Sequence, residues 1–184
     1  SHRQARDYLA ARVGLPPLSQ VATGSSEEAE AEHQLTLRVR EALTALADIY
    51  HQRLVTNTEV LAWFRGKYGI GDEMIERLKI GYADNNGVLR ILQSEPYKFT
   101  PRELVASSAF RPTAQDGTRP FFNRRIVFPY WSRGRVVFMT GRQTPWTPSD
   151  YDTEKAKYKK LPVYDDRDRP YVAKCIRNDT LYNE

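Results

Sequence analysis

Hydrophobic positions follow two different rhythms along this chain. Up to about residue 107 they recur every three or four residues; beyond residue 120 they alternate or gather in short apolar runs. The first rhythm predicts helices and the second predicts strands, because side chains return to one face about every 3.6 residues on a helix and about every two on a strand. Leu35, Val39, Ala42, Leu43, Leu46 and Tyr50 make one stripe, so residues 33–54 are predicted as a long helix. Residues 56–59, Thr-Asn-Thr-Glu, match a capping box before a helix with Val60, Leu61 and Phe64 inward. A short helix is expected over residues 72–79, with Met74, Ile75 and Leu78 inward and Gly81 as its stop. Residues 86–93 and 101–107 are read as further helices. Upstream, residues 3–14 fit a short amphipathic helix, and Pro-Pro, small residues and an acidic run make 14–32 a linker. The expected division is therefore 1–32, a linker segment, and 33–184, the folded part.

After Arg111 the character changes. Residues 113–120, with an Asp-Gly turn signal, are read as a loop. Strands follow at 126–130 and 136–140, joined near Gly134, which tolerates a positive φ. Residues 144–156 are a loop, 157–165 extended or irregular, and 169–173 a candidate third strand. Helices first and strands afterwards point to an α+β fold, a helical N-terminal half followed by a small antiparallel sheet.

Composition removes several function classes. No apolar run of about 18 residues exists, so no membrane partner is expected. A lone Cys175 excludes an internal disulfide and suits a reducing, cytoplasmic compartment. With His2, His33 and His51 widely spaced, it makes no ordinary structural zinc site. Its bland reading is a small half-buried residue. Neither a nucleophile arrangement nor a Gly-rich phosphate loop is visible.

Charge changes the picture more. The 184 residues carry a formal net charge of +5, distributed unevenly. Residues 1–56 hold 6 Lys/Arg against 7 Asp/Glu, and residues 57–184 hold 22 against 16. Between Thr118 and Arg142 lie six Arg and no acid, concentrated on and around the predicted hairpin. Unpaired cations on a half-buried hairpin attract polyanions, since guanidinium groups bind phosphate bidentately and stack on bases. The competing reading is a solvated basic face that keeps the protein soluble. A second cluster, Lys155, Lys157, Tyr158, Lys159 and Lys160, interleaves lysines with a tyrosine. Lys neutralises phosphate and Tyr stacks on a base, as single strands and nucleoside triphosphates require.

Together these segments resemble one family. "LADIYHQRLVTNTEVLAWF", residues 46–64, and "GIGDEMIERLKIGYA", residues 69–83, are similar to the opening of the RNA polymerase domain of bacterial DnaG-type DNA primases. The family's Phe-x-x-Arg-Ile/Val-x-Phe-Pro is matched by Phe122, Arg125, Ile126, Phe128 and Pro129. Its Arg-Gly-Arg-Val and Gly-Gly-Arg are matched by residues 133–136 and by Gly141 with Arg142. Its Lys-Tyr-Leu-Asn-Ser-Pro is answered by residues 157–162, and its later His-Lys by Ala173 with Lys174. The ordered set covers about residues 40–184. The departures are Tyr68 for an Arg at the end of a helix, Asn123 for an Arg, Lys160 for an Asn, and no glycines near Phe138 and Thr140.

The resemblance implies the basic N-terminal part of a primase core, one wall of a groove for template single-stranded DNA, RNA primer and ribonucleotides. It implies nucleic-acid or nucleotide contacts from Arg124, Arg125, Arg142, Lys157, Tyr158, Lys160 and Lys174, with no catalytic residue in this stretch. Magnesium or manganese would sit in a following TOPRIM segment, zinc in an upstream module, and a replicative helicase would bind other parts of a primosome. The chain is accordingly expected to be an excised piece that makes no primers by itself. Two other readings compete with a primase fragment: a non-catalytic module binding single-stranded nucleic acid, and a protein-interaction domain with a basic face.

Overall fold

The computed structural model describes residues 24–114, 117–148 and 155–164. The chain divides into two compact units, residues 1–34 and 35–184. Helix α1 is Gly24–Thr56, and its opening turns are the described part of the first unit. In the second unit α2 (Thr58–Tyr68) and α3 (Asp72–Leu78) follow, then β1 (Gly81–Tyr82), α4 (Val88–Gln93) and α5 (Pro101–Ala106). β2 (Phe110–Pro112) and β3 (Thr118–Pro120) form a small hairpin. β4 (Ile126–Ser132), β5 (Arg135–Arg142) and β6 (Tyr158–Lys160) complete a four-stranded antiparallel sheet in the order β1-β4-β5-β6. The expected α+β class and the central hairpin are both present. Among the described residues no helix is long and apolar enough to cross a membrane.

The stripe on α1 is buried as its spacing requires: Val39, Ala42, Leu43, Leu46, Tyr50 and Leu54 are all inaccessible to solvent or nearly so. Each large apolar side chain so removed from water contributes about 1.5–3 kcal/mol. The sheet has a core cluster on each side. One joins α1 to Val127, Met139 and Phe122; the other joins Val60, Phe64 and Ile75 to Tyr82 and Ile126. Close approach to α1 depends on Gly81, where an added Cβ would lie 2.6 Å from the Tyr50 carbonyl carbon. Between Tyr130 and Trp131 the register of β4 against β5 shifts. There the Val136 N–H turns to the Thr44 hydroxyl of α1 at 3.0 Å, so the irregularity leaves that donor satisfied.

Several boundaries differ from the sequence reading. The acidic run in residues 27–32 is helical and continuous with α1, not linker. Glu and Ala are strong helix formers, and Glu27 in the first turn suits the positive end of the helix dipole. The cap of α2 is Asn57, whose side chain accepts from the Val60 N–H at 3.1 Å. Thr56 instead donates back to the Gln52 carbonyl and belongs to α1. The true capping box lies at Thr100 and Glu103 of α5. Helix α3 ends on Lys79 in the left-handed conformation, so Gly81 is a strand residue and not a stop. Gly134 does take a positive φ, 73°, and Arg133 beside it takes 50°. The segment read as a loop at 113–120 carries β3, a strand too short to leave an alternation. The helix expected at 3–14, the strand at 169–173 and Lys174 lie outside the described residues.

Candidate nucleic-acid interface

Strand pairing arranges the candidate residues in rungs. Tyr82, Ile126, Arg142 and Tyr158 are aligned across β1, β4, β5 and β6. Paired residues in an antiparallel sheet share a face, and the next rung faces the opposite way. Gly81, Val127, Gly141 and Lys159 make that next rung, on the α1 side; Phe128, Thr140 and Lys160 return to the first face. The apolar end of the first face, Tyr82 and Ile126, is covered by the cluster that includes Val60, Phe64 and Ile75. Its other end opens outward, with Arg142 half-buried, Lys160 exposed and Tyr158 49% exposed.

Arg142 is held between two tyrosines. Its Nε donates to the Tyr68 hydroxyl at 2.6 Å and its NH1 to the Tyr158 hydroxyl. Its guanidinium carbon lies 4.5 Å from the Tyr68 ring centre and 5.0 Å from that of Tyr158. Lys157 Nζ stands 5.8 Å from the Tyr158 ring centre. No carboxylate is bound to Arg142 among the described residues, where the two aromatic rings orient its charge. Guanidinium stacked on rings keeps in-plane N–H groups for an anion.

Arg124 is fixed by its backbone. Its N–H donates to the Ala83 carbonyl at 2.8 Å, and its own carbonyl accepts from the Thr144 and Thr147 hydroxyls at 2.6 and 2.8 Å. Its φ of 49° turns the chain into β4 and leaves the side chain exposed. Burial pushes the Tyr82 phenol up, and the positive charge of Arg124 acts against that shift.

Arg125 overturns its expectation. Its side chain was expected to meet phosphate at the surface, yet it is 0% exposed. It belongs to the α1 side of the sheet, where its Cδ lies 3.2 Å from the place a Cβ on Gly141 would occupy. Its NH1 donates to the Ala156 carbonyl at 2.9 Å. The physical reason is register: Arg125 precedes Ile126 and so projects to the face opposite Arg142. Glu76 on α3 is bound to His51 and Lys79. Lys79 first and His51 second hold the Glu76 carboxyl below the usual carboxylate range.

The structure thus brings Arg142, Lys157, Tyr158 and Lys160 together at one open sheet edge, with Arg124 near the Tyr82 end of the same face. It places Arg125 beneath that edge. Tyr68, noted in the sequence only as a departure, turns out to be one jaw of the arginine clamp. The signal available for it was the interleaving of aromatic and basic residues in "WFRGKY", residues 63–68.

Residues 27–165 match the family described as the DNA primase catalytic core, N-terminal domain. The chain belongs to that family. Among solved structures it is similar to the RNA polymerase domain of the Mycobacterium tuberculosis primase DnaG in complex with a double-stranded DNA oligomer carrying a 6-nucleotide overhang. Identity there is 25% and the TM-score 0.57, over 68% of this chain and 38% of that one. A DnaG primase catalytic domain bound to ssDNA gives 24% identity and a TM-score of 0.55, over 71% and 39%. The Aquifex aeolicus primase, with its zinc-binding and RNA polymerase domains, gives 22% and 0.58, over 88% and 36%. The chain therefore spans well under half the length of each of these relatives. No curated protein matches it.

Proposed function

We propose that this chain is the part of a DNA primase core that binds single-stranded template DNA, with primer and ribonucleotide contacts on the same sheet face. The observation that supports this most is Arg142, oriented by Tyr68 and Tyr158, bound to no carboxylate among the described residues, and flanked by Lys157 and Lys160 at an open edge. Family membership supplies the class of polyanion, and relatives whose structures contain DNA favour it over an acidic protein. Phosphates would pair with Arg142, Lys157, Lys160 and Arg124, and a base would lie on Tyr158. Arg125 would act from below, holding the Ala156 carbonyl and hence the segment that carries Lys157 and leads into β6 at Tyr158.

Primer synthesis is assigned to the parent enzyme. Among the described residues no three His, Cys, Asp or Glu side chains come together as a metal ion would need. The described residues therefore do not fit the divalent metal of a nucleotidyl transfer. The metal, an upstream zinc module, a helicase contact and a cytoplasmic replication role belong to the parent on this reading.

Fluorescence anisotropy with a labelled single-stranded oligonucleotide tests it. Binding should be weak, with a Kd of about 10⁻⁶ to 10⁻⁴ M, and should fall steeply as salt rises. Arg142→Ala and Lys157→Ala should each weaken it and flatten the salt dependence. Salt-insensitive binding, or none at low salt, would refute the proposal.

A further inference from the structure

The Arg142 clamp is the middle of a longer array. The indole of Trp146 meets that of Trp63 edge to face, 5.7 Å between ring centres and 83° between planes. Trp63 meets Tyr68 in the same way, at 5.9 Å and 88°. Tyr68 carries the Arg142 guanidinium, which also lies over Tyr158. Trp63, Tyr68 and Trp146 are each only half-buried at the margin of the second core cluster. Among the described residues none of the three is stacked face to face on another aromatic ring: their mutual planes are near perpendicular and Phe64 meets Tyr68 at 54°.

Edge-to-face rings also pack in ordinary cores, but these three are half-buried and adjoin the Arg142 guanidinium. Here two indoles and a phenol lead from the loop after β5 to a cation that no carboxylate neutralises among the described residues. Half-buried rings beside a cationic group suit a flat ligand that also carries negative charge. A nucleobase attached to phosphate has both properties, and every base offers a π-face.

We infer that Trp146, Trp63 and Tyr68 form a base-stacking subsite that continues the phosphate-binding edge at Arg142. Its occupant is a nucleobase of single-stranded DNA. The inference rests on the DNA-binding reading above and extends it to residues whose contribution is sequence-tolerant and largely independent of salt. Arg142 marks the junction, with phosphate contacts on the Tyr158 and Lys157 side and base contacts on the tryptophan side.

Titration with a short oligothymidylate, set beside an abasic oligomer of equal length and charge, tests it. The oligothymidylate should bind about tenfold or more tightly than the abasic strand at the same salt, and should quench tryptophan fluorescence. Trp146→Leu and Trp63→Leu should each remove about fivefold or more of that advantage, while abasic binding and the salt slope stay as in the wild type. Trp146→Phe, which keeps a ring and lessens any packing defect, should restore part of the loss, and thermal melts confirm that the variants are folded. Equal affinity for the two oligomers, or tryptophan variants that bind oligothymidylate as the wild type does, overturns the subsite but leaves the phosphate edge standing. Absence of binding by either oligomer at low salt overturns both.

Discussion

Replacing Arg125 with Ala separates a surface contact from a buried support. The side chain is 0% exposed and its guanidinium donates to the Ala156 carbonyl. Losing a buried hydrogen bond from a charged group costs about 1.5–3 kcal/mol. Its aliphatic stem packs beside Gly141, and burying its three methylenes is worth about 0.8 kcal/mol each. Relief from holding a cation out of water offsets part of this. A net loss of about 3 kcal/mol is therefore expected, and for a chain of this size each kcal/mol shifts the melting temperature by about 2–4 °C. Arg125→Ala should thus melt about 6–12 °C below the wild type. Urea titration should show a lower midpoint with an unchanged slope. Oligonucleotide affinity should fall too, because the segment bearing Lys157 and Tyr158 loses its support. Arg125→Lys should recover part of both. Lys157→Ala, at an exposed position, should lose binding while stability changes by less than about 1 kcal/mol. An Arg125→Ala variant that melts within about 2 °C of the wild type yet loses DNA affinity would refute the reasoning, for it would place that side chain at the DNA.

Gly81→Ala should be strongly destabilising, by about 5 °C or more, because the added Cβ meets backbone atoms of α1 at Tyr50 and His51 that cannot yield. Gly66→Ala, in open space within α2, should raise the melting temperature by about 1–3 °C; scanning calorimetry of both variants checks the opposite signs. The Glu76 carboxyl is depressed in the folded state by Lys79 and His51. Its contribution is then present at neutral pH and lost as pH falls below the ordinary carboxylate value of about 4.3, so the gap in melting temperature between wild type and Glu76→Gln should close on acidification. Purified chain given template, ribonucleotides and magnesium should make no primers, and synthesis that follows the polypeptide through purification would contradict the proposed division of labour.

Much of the scaffold was legible in the sequence because its signals are local. The α1 stripe, the order of helices before strands and the turn at Gly134 each depend on spacing or on one residue's backbone freedom, and the motifs from Tyr50 to Pro162 carried the family. Short elements were not legible: β1 and β3, with 2 and 3 residues, exist only because partners align beside them. Arg124, Arg125 and Arg142 are chemically alike in the sequence and end in three environments: exposed, buried, and clamped between rings. Strand register decides between the last two, since a shift of one residue exchanges the two faces of a sheet. The meeting of Tyr68, Arg142 and Tyr158 joins positions 74 and 16 residues apart. Composition supplied the cations and the rings, but only tertiary packing, which brings α2 and β6 to the same end of β5, determined that they touch.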